Sequence, residues 1–128
     1  MIKDKYSFII FDWDGTLMDS TGRIVSAMQT TARIIEQPVP SVAQVKSIIG
    51  LGMQEVLDSL FPEACTQIRD KLLEEYRYQY IDGDSTPTPL FDGSMALLYW
   101  LKEIGVVTSV ATGKARNGLQ RVMREVDL

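Results

Sequence analysis

The apolar positions of this chain form short unbroken runs near its start and again after residue 105, with repeats of three and four between them. The runs, Tyr6 to Phe11 and Gly105-Val106-Val107-Thr108-Ser109-Val110-Ala111, have the length and composition of buried strands. Residues 19–82 hold no convincing strand. Asp19, Ser20 and Thr21 offer helix caps, and Ile24, Met28, Thr31, Ala32 and Ile35 recur at helical spacing until Pro38 and Pro40 break the pattern. Ser41 is placed to cap a second helix with Val42, Val45, Ile48 and Ile49 on its apolar face. Gly50-Leu51-Gly52 interrupts it before Glu55-Val56-Leu57 and Leu60-Phe61 resume. A longer helix over about Ala64 to Tyr80 aligns Cys65, Ile68, Leu72, Tyr76 and Tyr80, a stripe that reads as bundle core. Asp82 to Pro89, rich in proline and small polar residues, reads as a linker. Leu90-Phe91-Asp92-Gly93 then leads into a helix with Leu97, Leu98, Leu101 and Ile104 on one face, stopped by Gly105. The last helix opens at Ala115 and carries Leu119, Val122, Met123 and Val126 at helical spacing.

The end of the first run adds chemistry to the pattern. Phe8-Ile9-Ile10-Phe11 is followed by Asp12-Trp13-Asp14-Gly15-Thr16-Leu17, so a strand delivers two acids, one residue apart, to its carboxyl end. Open α/β sheets bind ligands there. Strand alternation points Asp12 and Asp14 to one side and Trp13 to the other. Gly15 gives the chain a turn conformation closed to residues with a Cβ, and Thr16 is able to hydrogen-bond back into that turn. Close carboxylates repel, so the pair calls for a shared proton or a cation. In a chain with no histidine and one cysteine, a hard divalent ion such as magnesium suits these oxygens and zinc does not. The same acids would also serve as caps in a solvated turn. Thr112-Gly113-Lys114 closes the second run, with a hydroxyl at the strand terminus and a helix amino end, favourable to an anion, just beyond. Thr112 is equally suited to capping that helix.

Composition narrows the function classes. The 128 residues are 45% hydrophobic, enough for one ordinary core or a modest core with a satellite bundle. A net charge of −4 without a Lys/Arg stripe argues against nucleic acid as a partner. The amino-terminal stretch from Met1 to Tyr6 is mixed in charge and its apolar run short, unlike a signal sequence or a membrane span. Cys65 has no second cysteine to pair with, which fits a cytoplasmic location.

Asp12-Trp13-Asp14-Gly15-Thr16 behind an apolar strand resembles the first motif of the haloacid dehalogenase superfamily of hydrolases. The resemblance implies that Asp12 is the nucleophile and takes the phosphoryl group as an aspartyl phosphate. It implies that Asp14 protonates the leaving oxygen and later deprotonates water, and that Asp12 and the Asp14 backbone carbonyl bind Mg2+. An acid at position 14 favours phosphoryl transfer over carbon–halogen cleavage within that superfamily. The second run resembles the second motif, with Thr112, Gly113 and, from the first motif, Trp13 as phosphate-binding residues. Lys114 would pair with phosphate or with Asp12, without the role of the superfamily's essential lysine. A helical insert after the first motif resembles the cap of the phosphoglycolate phosphatase-like and β-phosphoglucomutase-like branch, in which Gly50, Leu51 and Gly52 would reach the substrate. Arg23, near the insert's start, reads as a solvated arginine or an anion contact.

The expected fold is therefore α/β, a Rossmann-like parallel-sheet core of two strands with an inserted all-helical cap. Its core would span residues 1–18 and 83–128 and its cap residues 19–82. The expected activity is that of a magnesium-dependent phosphatase acting on a small phosphorylated metabolite. The alternatives are a phosphomutase of the same superfamily and a non-catalytic remnant that binds phosphate or a partner. After Thr112 no Lys-Pro or Asp-Asp pair follows, as the third and fourth motifs would require, so the 128 residues resemble a chain cut short, weak or inactive by itself. Two strands with open edges also predict self-association through an uncovered core.

Overall fold

The computed structural model describes residues 2–128; Met1, the first residue of the amino-terminal stretch discussed above, lies outside the described residues. In chain order the elements are α1 (Ile2–Lys5), β1 (Phe8–Phe11), α2 (Thr21–Ile34), α3 (Val42–Ser47), α4 (Met53–Leu60) and α5 (Thr66–Tyr78). A π-helical turn (Gln79–Gly83), α6 (Ser94–Glu103), β2 (Val107–Val110) and α7 (Arg116–Glu125) follow. The chain divides into two compact units, one of residues 1–19 and 89–128, the other of residues 20–88.

In the first unit β1 and β2 pair in parallel, Phe8 opposite Val107 and Phe11 opposite Val110. Both strands thus end at the same edge of the sheet, and the pairing runs one step further where Ala111 N–H donates to the Phe11 carbonyl at 2.8 Å. This is the expected α/β architecture. A parallel pair needs a long crossover, which here contains all of the second unit and α6. Trp13, Leu17, Met18 and Val122 form the buried centre of the first unit, with Phe11, Leu90, Leu98, Val110 and Leu119 packed around them. Leu97, expected on the inner face of α6, is exposed; Leu101, one turn on, is the residue that face buries.

The second unit is wholly helical. Its core joins Ile24, Val25, Ala27, Met28 and Ala32 of α2 to Val45, Ile48, Val56, Leu57, Phe61, Leu72 and Tyr80. Ser41 starts α3 through a capping box, its Oγ accepting from Gln44 N–H while the Gln44 side chain accepts from Ser41 N–H. Gly50, with φ +98°, makes the break before α4, a conformation that few residues other than glycine adopt. Cys65 departs from expectation: it occupies the N-cap position of α5 and is exposed, so the apolar stripe begins at Ile68. The helix extends beyond α5 as the π-helical turn, and the segment read as a linker from Asp82 is ordered by side chains. Arg23 reaches the carbonyls of Ile81 (3.3 Å) and Thr86 (3.5 Å), and its guanidinium lies 5.3 Å from the centre of the Tyr80 ring. Arg23 is therefore a clamp within this unit.

Burial disfavours the charged form of Asp84 here, but hydrogen bonds from the Ser26 and Thr86 hydroxyls and from Thr86 N–H, with the Arg23 charge nearby, outweigh it. The carboxyl is held below its ordinary range. Among the described residues no helix is long and apolar enough to cross a membrane.

Candidate active site

The site begins where β1 stops. Beyond Phe11 the chain folds into a tight turn in which the Trp13 carbonyl accepts from the N–H groups of Thr16, Leu17 and Met18, at 3.1, 3.0 and 3.2 Å. Gly15 has φ +79° and its N–H donates to the Met18 carbonyl at 2.9 Å, so a Cβ at this position would strain the turn. The turn is anchored from below. The Trp13 side chain is 1% exposed, and the Leu17 carbonyl accepts from both Phe91 N–H (2.9 Å) and the buried Ser94 hydroxyl (3.0 Å). The indole thus sits in the core, while the backbone N–H and carbonyl of Trp13 are both engaged within the turn. With the backbone fixed, Asp12 and Asp14 are presented on a rigid support.

The two acids have different surroundings. Asp12 is exposed; its Oδ1 accepts from Trp13 N–H at 2.8 Å and its Oδ2 from the Thr16 hydroxyl at 3.4 Å. Asp14 is half-buried, and its Oδ2 lies 3.7 Å from Lys114 Nζ, with each side chain only 14% exposed. Lys114 is thus set against Asp14, where the sequence suggested phosphate or Asp12. The helix that follows the turn starts at Thr21 with Ser20 at its N-cap, so neither acid caps it.

From the second strand, Thr112 follows Ala111 into a short loop, and its Oγ accepts from Lys114 N–H at 3.1 Å. A hydroxyl that accepts from the chain keeps its own proton to donate elsewhere. Because α7 starts at Arg116 with Ala115 at the N-cap, Thr112 does not cap it. Thr112, Gly113 and Lys114 therefore share the sheet edge with Asp12 and Asp14. A cavity of about 1220 Å³ runs along β2 between α6 and α7; Thr112 and Lys114 touch it but Asp12 and Asp14 do not. Its walls are mainly apolar, and it is the open flank of the sheet rather than the centre of the chemistry. Gly50, Leu51 and Gly52 belong to the other unit, where Gly52 is the N-cap of α4 and its N–H donates to the Glu55 carboxylate at 3.0 Å.

Asp12 and the Asp14 carbonyl are hard oxygen donors, the kind magnesium accepts alongside water and substrate phosphate. Among the described residues no group of three or more His, Cys, Asp or Glu is arranged to hold a metal.

The family model for haloacid dehalogenase-like hydrolases matches residues 9–128. Tyrosine-protein kinase PtkA of Mycobacterium tuberculosis is 34% identical over 116 residues, covering 91% of this chain and 39% of that protein. Phosphoglycolate phosphatase of Xanthomonas campestris is 25% identical over 118 residues, covering 92% of this chain and 53% of its own. The chain spans about half the length of such relatives or less. Among solved structures, a hydrolase from Pseudomonas syringae superposes with a TM-score of 0.83 at 24% identity, over 96% of this chain and 56% of that one. PtkA superposes with a TM-score of 0.78 at 33% identity, over 94% and 55%.

Proposed function

The chain belongs to the haloacid dehalogenase-like hydrolases, and we propose that it acts as a magnesium-dependent phosphatase on a small phosphorylated metabolite. The observation that carries this reading is the parallel register, which brings Asp12 and Asp14 to the same sheet edge as Thr112. In the proposed reaction an Asp12 oxygen attacks phosphorus and the ester P–O bond breaks. Its electron pair leaves with the alcohol oxygen, which takes a proton from Asp14. Water then attacks the aspartyl phosphate, giving its proton to Asp14 as the Asp12–phosphorus bond breaks and inorganic phosphate departs. Thr112 and the N–H of Gly113 would donate to phosphoryl oxygens, and Asp12 with the Asp14 carbonyl would hold the metal. Magnesium, when bound, offsets the repulsion between the carboxylate and phosphate charges.

Gly50, Leu51 and Gly52 are proposed as substrate contacts, and the exposed Phe8, Ile10 and Val107 as a surface for self-association. The identity to tyrosine-protein kinase PtkA favours one further reading, in which the phosphoryl group ends on a tyrosyl hydroxyl. Release of inorganic phosphate from an aryl phosphate, measured for the protein and for Asp12→Asn, tests the proposal. Loss of release in Asp12→Asn supports it; phosphate release unchanged by that substitution overturns it. Labelled tyrosine without free phosphate would favour the kinase reading.

A further inference from the structure

Lys114 does two things at once in the site. Its ammonium lies 3.7 Å from Asp14 Oδ2, and its backbone N–H donates to Thr112 Oγ at 3.1 Å. The turn after β1 fixes the backbone of Asp14, and among the groups its carboxylate meets is a charge carried by the other strand's loop. Both side chains are only 14% exposed, which shields their attraction from water and salt more than at an open surface. The same short loop turns Thr112, because an Oγ that accepts from Lys114 N–H directs its own proton away from the loop.

Resting on the phosphatase reading above, we propose that Lys114 is a positioning residue for the reaction: its ammonium aims the Asp14 carboxyl at the leaving oxygen, beside a Thr112 hydroxyl that the backbone N–H of position 114 keeps in a donating orientation. This role differs from holding phosphate. A phosphate ligand acts on every substrate equally, whereas a residue acting through Asp14 matters in proportion to how much the leaving group needs a proton. Misplacing a catalytic group by even an ångström costs about a hundredfold.

The test uses Lys114→Met and Lys114→Arg, each assayed with phenyl phosphate, a poor leaving group, and dinitrophenyl phosphate, a good one. Lys114→Met is expected to lower kcat on phenyl phosphate by about tenfold to a hundredfold, leave KM and the dinitrophenyl rate little changed, and be rescued by Lys114→Arg. Equal losses on both esters, or a raised KM at constant kcat, would overturn the proposal in favour of a phosphate ligand. A second readout does not depend on turnover: the carboxyl and Cβ carbon resonances of Asp14 in the isotope-labelled protein. They should move in Lys114→Met and return towards native positions in Lys114→Arg. If they stay unmoved in folded Lys114→Met, the positioning role is wrong. If they move while neither ester is hydrolysed by the unsubstituted protein, it is the phosphatase reading that fails, and only the placement of Asp14 by Lys114 stands.

Discussion

Among the described residues, side chains of the helical unit from α2 through Tyr80 close into one buried cluster of twelve, whereas the buried cluster of the α/β unit has four. The strands of the α/β unit stay open: Phe8 is 50% exposed, and Ile10 and Val107 are each 60% exposed. Burial of apolar area is the main source of stability, so the helical unit should be the sturdier of the two. The α/β unit puts its order into a small place instead, the turn from Asp12 to Met18, where backbone hydrogen bonds and the buried Trp13 fix the acids. One region is built to persist and the other to present.

That contrast breaks most visibly through substitutions. Asp12→Asn should abolish phosphate release, and Asp14→Asn should slow it by about a hundredfold or more, with thermal melting unchanged in both. A large drop in melting temperature for either would mean that the acids hold the fold rather than serve chemistry. Conversely, Leu72→Ala removes a side chain 1% exposed in the helical core and should cost about 2–5 kcal/mol, read as a lower denaturant midpoint. Metal dependence sharpens the same division. Chelation should remove phosphate release, magnesium should restore it and calcium should do so poorly, because its larger coordination shell misplaces nucleophile and phosphate. The helical circular dichroism signal should not respond to the metal.

The smallest expected effect lies in the helical unit and depends on pH. The folded-state pKa of Asp84 is depressed, so its ionised form stabilises the fold at pH above the ordinary value of 3.8, and this contribution disappears as pH falls through the folded value. Asp84→Asn should lower stability modestly at neutral pH and flatten the acid limb of the unfolding curve. An unchanged acid limb in that variant would remove Asp84 from the account.

The two strands, the helices from α2 to α7 and their order were readable because each rests on local side-chain periodicity, whereas the single turn of α1 was not foreseen. Ser41 announced a helix start and Gly15 a bend, each by its residue type, while the capping box that Gln44 completes emerged only in the structure. What eluded the sequence depends on partners far along the chain. Arg23 meets carbonyls 58 and 63 residues away, the Ser94 hydroxyl meets Leu17 across 77 residues, and Lys114 meets Asp14 from the opposite strand. Cys65 misled for a different reason: it falls on the apolar repeat of α5 but precedes the first helical residue, where the side chain turns to solvent. Thr112 and the two acids each had a capping alternative, and only the observed helix starts at Thr21 and Arg116 removed it.

One contact has a consequence for how such a chain varies. Asp19 N–H donates to the Pro89 carbonyl at 2.7 Å, so the polypeptide leaves the α/β unit and returns to it at a single point. To the strands, everything between those residues is one closed loop, whatever its content. Loop closure grows costlier only slowly with length, about 0.6 kcal/mol for each doubling. Insertions, deletions or wholesale exchange between Ser20 and Thr88 are therefore nearly silent in the register of β1 against β2, and the inserted stretch is free to diverge at a different speed from the segments that flank it.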